Sequence, residues 1–340
     1  GLLLGGVLTE YLSWRWCLAV NTPIAVLAAL LAVRFVRESK AHGNTSYDIP
    51  GAITVTGGLL ALVYGFTQAA PAGYEDSAHW TDPSTLVWFA LSAVLLTAFF
   101  VIESRSSHPL LPLRVIRNSN RAGAYISSLM VGAGMFAMFL FLGIFMQTIL
   151  GYSPVQAGFA FLPFSVGIIL GAGVASNLLP RVGPRPLMIP GLLAGAAGML
   201  WLAQLEPDSA YVTHLLPAML VMSLGMAFVF IPTATVALHA VDHHDAGVAS
   251  AMINTSQQVG GSLGTALMNT VAVSATSAYL VANAAAGEAA MPAALTEGFT
   301  RGFYVGAGLL ITAAVVVFFM IRIGADAAAD EDEAAPVHMG

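Results

Sequence analysis

Long apolar stretches, separated by short polar or glycine- and proline-containing connections, set the pattern of this chain. Nine of them reach the ~20 mostly apolar residues that an α-helix needs to cross a hydrocarbon core: Trp16–Val36, Ile49–Ala70, Ser84–Glu103, Gly123–Gln147, Val155–Leu178, Pro186–Leu205, His214–Val236, Val248–Ala275 and Phe299–Ile321. Several contain glycine or proline, which membrane helices tolerate when their neighbours satisfy the freed backbone groups. A tenth apolar run, Gly1–Leu8, is shorter. As a helix it covers ~12 Å, against a hydrocarbon core of ~30 Å. A charged amino group at Gly1 would then sit inside the bilayer, where charge is costly. The expectation is a chain that has lost its amino-terminal part; a short interfacial piece is the alternative.

Composition supports a membrane class. Apolar residues make up 57% of the 340 positions and charged residues 9%, and the mean hydropathy is +0.80. Soluble domains carry about 25% charged residues. A chain this poor in charge faces lipid over most of its area. The formal charge of -6 comes largely from the stretch Asp326 to Glu333, which reads as a solvated acidic tail. No basic cluster points to nucleic acid. The single cysteine, Cys17, excludes an internal disulfide and a cysteine-based metal site. No cofactor is expected.

The basic residues predict the topology. If the helices alternate, Arg34, Arg37, Lys40, Arg105, Arg114, Arg117, Arg121, Arg181, Arg185 and Arg322 fall on one side. Only Arg15 and Arg301 fall on the other, with Glu10, Glu75, Asp76, Asp82, Glu206, Asp208, Glu288 and Glu297. The arginine-rich side is placed in the cytoplasm, and with it the carboxyl terminus. Ser104–Arg121 is the longest basic connection and reads as a cytoplasmic linker, with an amphipathic interfacial helix as one form it could take. Six spans follow it, a number that matches the six-helix halves of many transporters.

Polar side chains within the spans are the candidates for a cavity. Lipid-facing amides are costly, so Gln147, Asn177, Asn254, Gln257, Gln258 and Asn269 are expected to face the bundle interior. Interhelical hydrogen bonding is the alternative role. Phe136, Met138, Phe141, Phe145, Met146, Phe228 and Phe230 suit a broad lipophilic pocket, or else core packing and lipid contact. Asp242-His243-His244-Asp245 has the residue types of a metal site, but lacks a second ligand group, and a solvated loop is the preferred reading. Asp245 would also favour the positive N-terminus of the following helix. No Asp, Glu or Lys lies at the middle of a complete span.

Motifs then give the pattern a family. Gly1-Leu2-Leu3-Leu4-Gly5-Gly6 is followed by Ser13-Trp14-Arg15-Trp16 and Asn21-Thr22-Pro23. This series resembles the antiporter motif in the fifth helix of major facilitator superfamily exporters, with Leu2 where the family usually has proline. Leu150-Gly151-Tyr152-Ser153-Pro154, Gln156-Ala157-Gly158 and Leu162-Pro163 resemble the tenth-helix start of the fourteen-helix drug:proton antiporter branch. Arg181, Gly183 and Arg185 resemble a degenerate second copy of the superfamily's cytoplasmic loop motif, with Pro180 where aspartate is typical. Asn254-Thr255 and Gln257-Gln258-Val259-Gly260-Gly261-Ser262-Leu263-Gly264 are similar to that branch's thirteenth helix.

The resemblance implies an all-α polytopic membrane protein with an incomplete major facilitator fold: about nine full transmembrane helices and a partial first one. In its terms, residues 1–36 end an amino-terminal bundle and 49–103 are two extra central helices. Residues 104–121 form the cytoplasmic linker, 122–322 a carboxyl-terminal six-helix bundle, and 323–340 an acidic disordered tail. Gly1, Gly5 and Gly6 would pack the antiporter-motif helix. Phe141, Phe145, Gln147, Asn254, Gln257 and Gln258 would belong to the substrate cavity, and Arg181, Gly183 and Arg185 to a cytoplasmic gate loop. The implied activity is proton-coupled efflux of small lipophilic or cationic drugs by a monomer in the bacterial plasma membrane. The coupling acid is expected in the absent amino-terminal half. A polytopic enzyme acting on lipid intermediates and a non-transporting fragment are the alternatives.

Overall fold

The computed structural model describes residues 2–35, 48–70, 79–106, 109–241 and 245–324. The secondary structure of these residues is helical throughout. They contain nine helical segments long and apolar enough to cross a membrane. The first part comprises α1 (Leu2–Tyr11), α2 (Arg15–Ala19) and α3 (Asn21–Phe35), then the neighbouring pair α4 (Ile49–Ala69) and α5 (Pro83–Arg105). A short α6 (Leu113–Arg117) leads into α7 (Ser119–Ile144), which ends in a π-helical turn, Phe145–Ile149. There follow α8 (Pro154–Ala160), α9 (Leu162–Val182), α10 (Pro184–Leu202), α11 (Leu216–Leu238), α12 (Ala246–Ala282) and α13 (Met291–Met320).

Local sequence explains where these helices begin. Proline occupies the first turn of α4, α5, α8, α9, α10 and α13. Its missing N–H falls among donors that have no intrahelical partner anyway. Ser153 and Gln156 form a reciprocal capping box at α8. The Asn118 side chain accepts from the Asn120 and Arg121 backbone N–H groups at the start of α7. Gly183, at φ +79°, makes the tight reversal between α9 and α10 in a backbone region that favours glycine.

The core lies where α7 packs on α12 and α13, α10 on α11 and α13, and α11 on α9. Phe141, Phe145, Met188, Met199, Met222, Phe303 and Leu310 are buried there. Glycine sets the spacing of the α7–α12 seam. A Cβ on Gly260 would collide with the Leu129 carbonyl, and one on Gly132 with that of Gln257. Helix backbones therefore touch directly, the association expected when lipid tails are as apolar as the side chains. The pair α4 and α5 is joined by the Ser92 hydroxyl, which donates to the Gly58 carbonyl at 2.8 Å. Thr270 on α12 donates to the Phe66 carbonyl at 3.1 Å and so ties α4 to the carboxyl-terminal helices.

Several boundaries differ from those read in the sequence. The last helix starts at Met291 rather than Phe299, and α12 runs on to Ala282 rather than ending at Ala275. Hydropathy marks the lipid-immersed part of a helix, whereas backbone hydrogen bonding continues into water. The stretch Val155–Leu178 is two helices, divided at Phe161 just before Pro163. Within Ser104–Arg121 only Leu113–Arg117 forms a separate helix, and α7 begins at Ser119. Gly1, Arg37, Lys40, Asp242–His244 and most of the acidic tail lie outside the described residues.

Candidate functional site: a junction cavity, a polar helix face and a loop

The junction of α1 with α8 brings the first motif glycines to the carboxyl-terminal helices. Gly6 is buried, and a Cβ there would stand 2.5 Å from the Pro154 carbonyl oxygen. Gly5, one residue earlier, has open space where its Cβ would be. A cavity of about 620 Å³ opens beside it, bordered by Gly5, Gly6, Thr9, Phe139 and Gln147 among others. Gln147 is exposed, and its Nε2 donates to the Gly143 carbonyl at 3.1 Å. The cavity thus joins a motif glycine pair and an amide that are far apart in sequence.

Glu10 fastens the same junction. Its carboxylate Oε2 accepts from the Ser153 hydroxyl at 2.6 Å and from the Val155 N–H at 2.9 Å. Glu10 lies beyond the apolar run of α1. The Ser153 hydroxyl first, then the Val155 N–H, hold its carboxyl below its ordinary value. A carboxylate at the start of α8 also meets the positive end of that helix.

Helix α12 carries the other amides. Asn254 and Gln258 are exposed and Gln257 is half-buried, its backbone pressed against Gly132. Gln258, Ser262 and Asn269 border a second cavity of about 540 Å³, with Val63 of α4 and Phe136 of α7 on its other walls. An apolar wall facing two amides and a hydroxyl can orient a small amphipathic molecule. Asn177 is exposed on α9, its side chain donating to the Gly173 carbonyl at 2.8 Å.

Phe141 and Phe145 occupy different surroundings. They are 1% and 0% exposed. The Phe141 ring stacks on Phe299 at a centroid distance of 5.5 Å and meets Phe303 edge-on at 6.1 Å. Neither residue borders the two cavities above. In this conformation they pack the bundle, while Gln147, Gln258 and Phe136 line open space.

The loop between α9 and α10 presents Arg181 to solvent and turns at Gly183. Arg185 lies over the Phe318 ring at 4.4 Å, a cation–π contact with α13. A second arginine contact was not legible in the motifs. Arg114 of α6 grips Asp245 with two hydrogen bonds, Nε to Oδ2 at 2.6 Å and Nη2 to Oδ1 at 2.8 Å. Asp245 therefore serves an ion pair at the start of α12. The described residues contain no group of three or more potential metal ligands, and His243 and His244 lie outside them.

Among the described residues, nine helical segments long and apolar enough to cross a membrane, packed at glycine seams with cavities bordered by Gln147, Gln258 and Asn269, make this a polytopic membrane protein. This chain belongs to the Major Facilitator Superfamily, whose sequence pattern matches residues 1–265. It is 42% identical to the puromycin resistance protein pur8 of Streptomyces alboniger, over 99% of this chain and 66% of the relative. It is 37% identical to the cephamycin export protein CmcT of Amycolatopsis lactamdurans, over 82% of this chain and 57% of the relative. Identity to the lincomycin resistance protein of Streptomyces lincolnensis is 32%, over 78% of this chain and 54% of the relative. The chain spans about half to two thirds of the length of these relatives. The family is one of transporters, so the alternative of a lipid-modifying enzyme is set aside.

Proposed function

We propose that the protein is a secondary active exporter of small lipophilic or cationic compounds, antibiotics among them. It would exchange them for protons across the bacterial plasma membrane. The observation that carries this reading is the similarity, over 99% of the chain, to a puromycin resistance protein. The names of the cephamycin export and lincomycin resistance relatives support the same substrate class. Proton exchange is supported by the resemblance to drug:proton antiporters.

The helix arrangement fits alternating access, in which two bundles rock about a central site. Residues 1–36 would belong to one bundle, 49–103 to the extra helix pair, 104–121 to the linker and 122–322 to the second bundle. Gln147, Asn254, Gln257 and Gln258 would contact substrate, with Phe141 and Phe145 forming the packed wall behind them. Arg181, Gly183 and Arg185 would line the cytoplasmic mouth. The arginine bias supports a cytoplasmic carboxyl terminus. The protein would act as a monomer in the lipid bilayer.

Transport of puromycin by the full-length protein, purified and placed in proteoliposomes, tests the reading. Export that appears with an imposed proton gradient and collapses with an uncoupler is the expected result. Export that persists without the gradient would refute coupling, and no export of any cationic or lipophilic antibiotic would refute the substrate class.

A further inference from the structure

Two acidic side chains approach each other where the start of α4 lies beside the end of α5, and neither borders the cavities above. Asp48 caps α4: its Oδ1 accepts from the Gly51 N–H at 2.9 Å. Glu103, in the last turn of α5, is 3% exposed. Its Oε2 accepts from the Leu111 N–H at 3.0 Å. The second oxygen of each carboxyl, Asp48 Oδ2 and Glu103 Oε1, is buried and has no hydrogen-bond partner.

These two unpartnered atoms converge. A Cβ placed on Gly51 would stand 2.7 Å from Asp48 Oδ2 and 3.0 Å from Glu103 Oε1. Only a glycine leaves the space above residue 51 open to both oxygens. The adjoining cavity of about 660 Å³ is walled by apolar residues such as Leu59, Phe99 and Leu111, with no charged side chain on its border. Arg105, two residues further along α5, is exposed. Arg114 of the linker is engaged with Asp245. Among the described residues, Asp48 is the charged group that bears on Glu103.

Asp48 is half-buried and Glu103 buried, and two facing carboxylates whose inner oxygens are shut off from water repel each other when both are ionised. An unsatisfied buried oxygen on each adds a further cost. One proton removes both problems. Added from water to one carboxyl, it makes an O–H that donates to the facing oxygen of the other. The pair then carries one negative charge instead of two, and both oxygens are partnered.

We propose that Asp48 and Glu103 form a proton-binding site at the base of the central helix pair, with one proton shared between their inner oxygens. The shared proton holds α4 and α5 together. Through the Leu111 N–H on Glu103 it also holds the middle of the linker. Its release would leave two facing anions and loosen that contact. The linker continues to Arg114, which is paired with Asp245 at the head of α12, so the site can report proton occupancy to the carboxyl-terminal helices. This site stands apart from the transport reading, since it requires only the two carboxyls and the fold.

Infrared spectroscopy of the chain in lipid nanodiscs tests it at neutral pH. The wild type is expected to show a protonated-carboxyl C=O band equivalent to one group per chain. Both Glu103→Gln and Asp48→Asn should abolish it, because the new amide N–H replaces the shared proton. The band should be unchanged when choline replaces sodium in the buffer. An equal band in wild type and both variants would overturn the proposal, as would a signal that requires sodium. If the variants fail to fold, carboxyl-¹³C aspartate and glutamate labelling of the wild type takes their place. No isotope-shifted protonated band at neutral pH would then overturn it.

Discussion

Glu10 of α1 accepts a 2.6 Å hydrogen bond from Ser153, the residue that caps α8. The two residues are 143 positions apart in sequence. One carboxylate thus links the first described helix to the entrance of the carboxyl-terminal helices, beside a cavity that opens between them.

This link should be sensitive to acid. The carboxyl of Glu10 titrates below its ordinary value of 4.5 because the ionised form accepts both hydrogen bonds. A lowered folded value means that its contribution is fully present above about 4.5 and is lost as pH falls through the lower value. Spin labels on α1 and α8 should report a constant distance from neutral pH down to about 5, then a broadening in stronger acid. Glu10→Ala should give the broadened distribution already at neutral pH.

Adjacent glycines on α1 should respond in opposite ways. Gly6→Ala puts a methyl group against the Pro154 carbonyl oxygen, which backbone geometry holds in place. Overpacking of this kind costs about 1–3 kcal/mol. Gly5→Ala meets open space and should leave thermal stability within about 0.5 kcal/mol of wild type. Melting curves of the two variants in the same detergent would settle the comparison, and equal shifts would refute close packing at Gly6.

The Arg114–Asp245 pair should hold the head of α12 through its geometry. The Asp245 side chain is 7% exposed and the Arg114 side chain 63%. Losing one partner of a fully buried pair costs about 3–5 kcal/mol. The solvated arginine end lowers the expectation for Arg114→Ala to about 1–2 kcal/mol. Arg114→Lys should recover only part of this, because a lysine cannot make the two-pronged contact. Thermal unfolding of the three proteins measures the difference.

Cavity-lining and packing residues should separate by their effects. Gln258→Leu removes an amide from an open cavity and should weaken substrate binding about tenfold while leaving the fold intact, the effect of one lost hydrogen bond. Phe141→Ala empties a fully packed site and should cost about 3–5 kcal/mol of stability. Substrate binding measured beside thermal stability distinguishes the two. A Gln258 variant with normal affinity would remove this residue from the proposed site.

The membrane-spanning segments were legible because lipid imposes a length and a composition on any helix that crosses it. That rule located the spans, but it did not locate helix ends in water, as at Met291 and Ala282. The candidate site was legible in part. Polar residues such as Gln147 and Gln258 stand out against an apolar background, since an amide in a membrane helix requires a reason. Phe141 and Phe145 could not be distinguished from cavity residues in this way, because an aromatic ring suits lipid, a pocket or a packed core equally well.

The sequence by itself determined that this is a polytopic helical membrane protein, and its motif order placed it in its family. Both follow from local properties: the run length of apolar residues and the spacing of glycine, proline and arginine. Only the tertiary structure decided which residues meet. It joined Glu10 to Ser153 and Arg114 to Asp245, brought Asp48 near Glu103, and buried Phe141 while leaving Gln258 at a cavity. Helices that are apolar on every side carry little record of their orientation, so partners distant in sequence are fixed by how close the glycine seams let the backbones come.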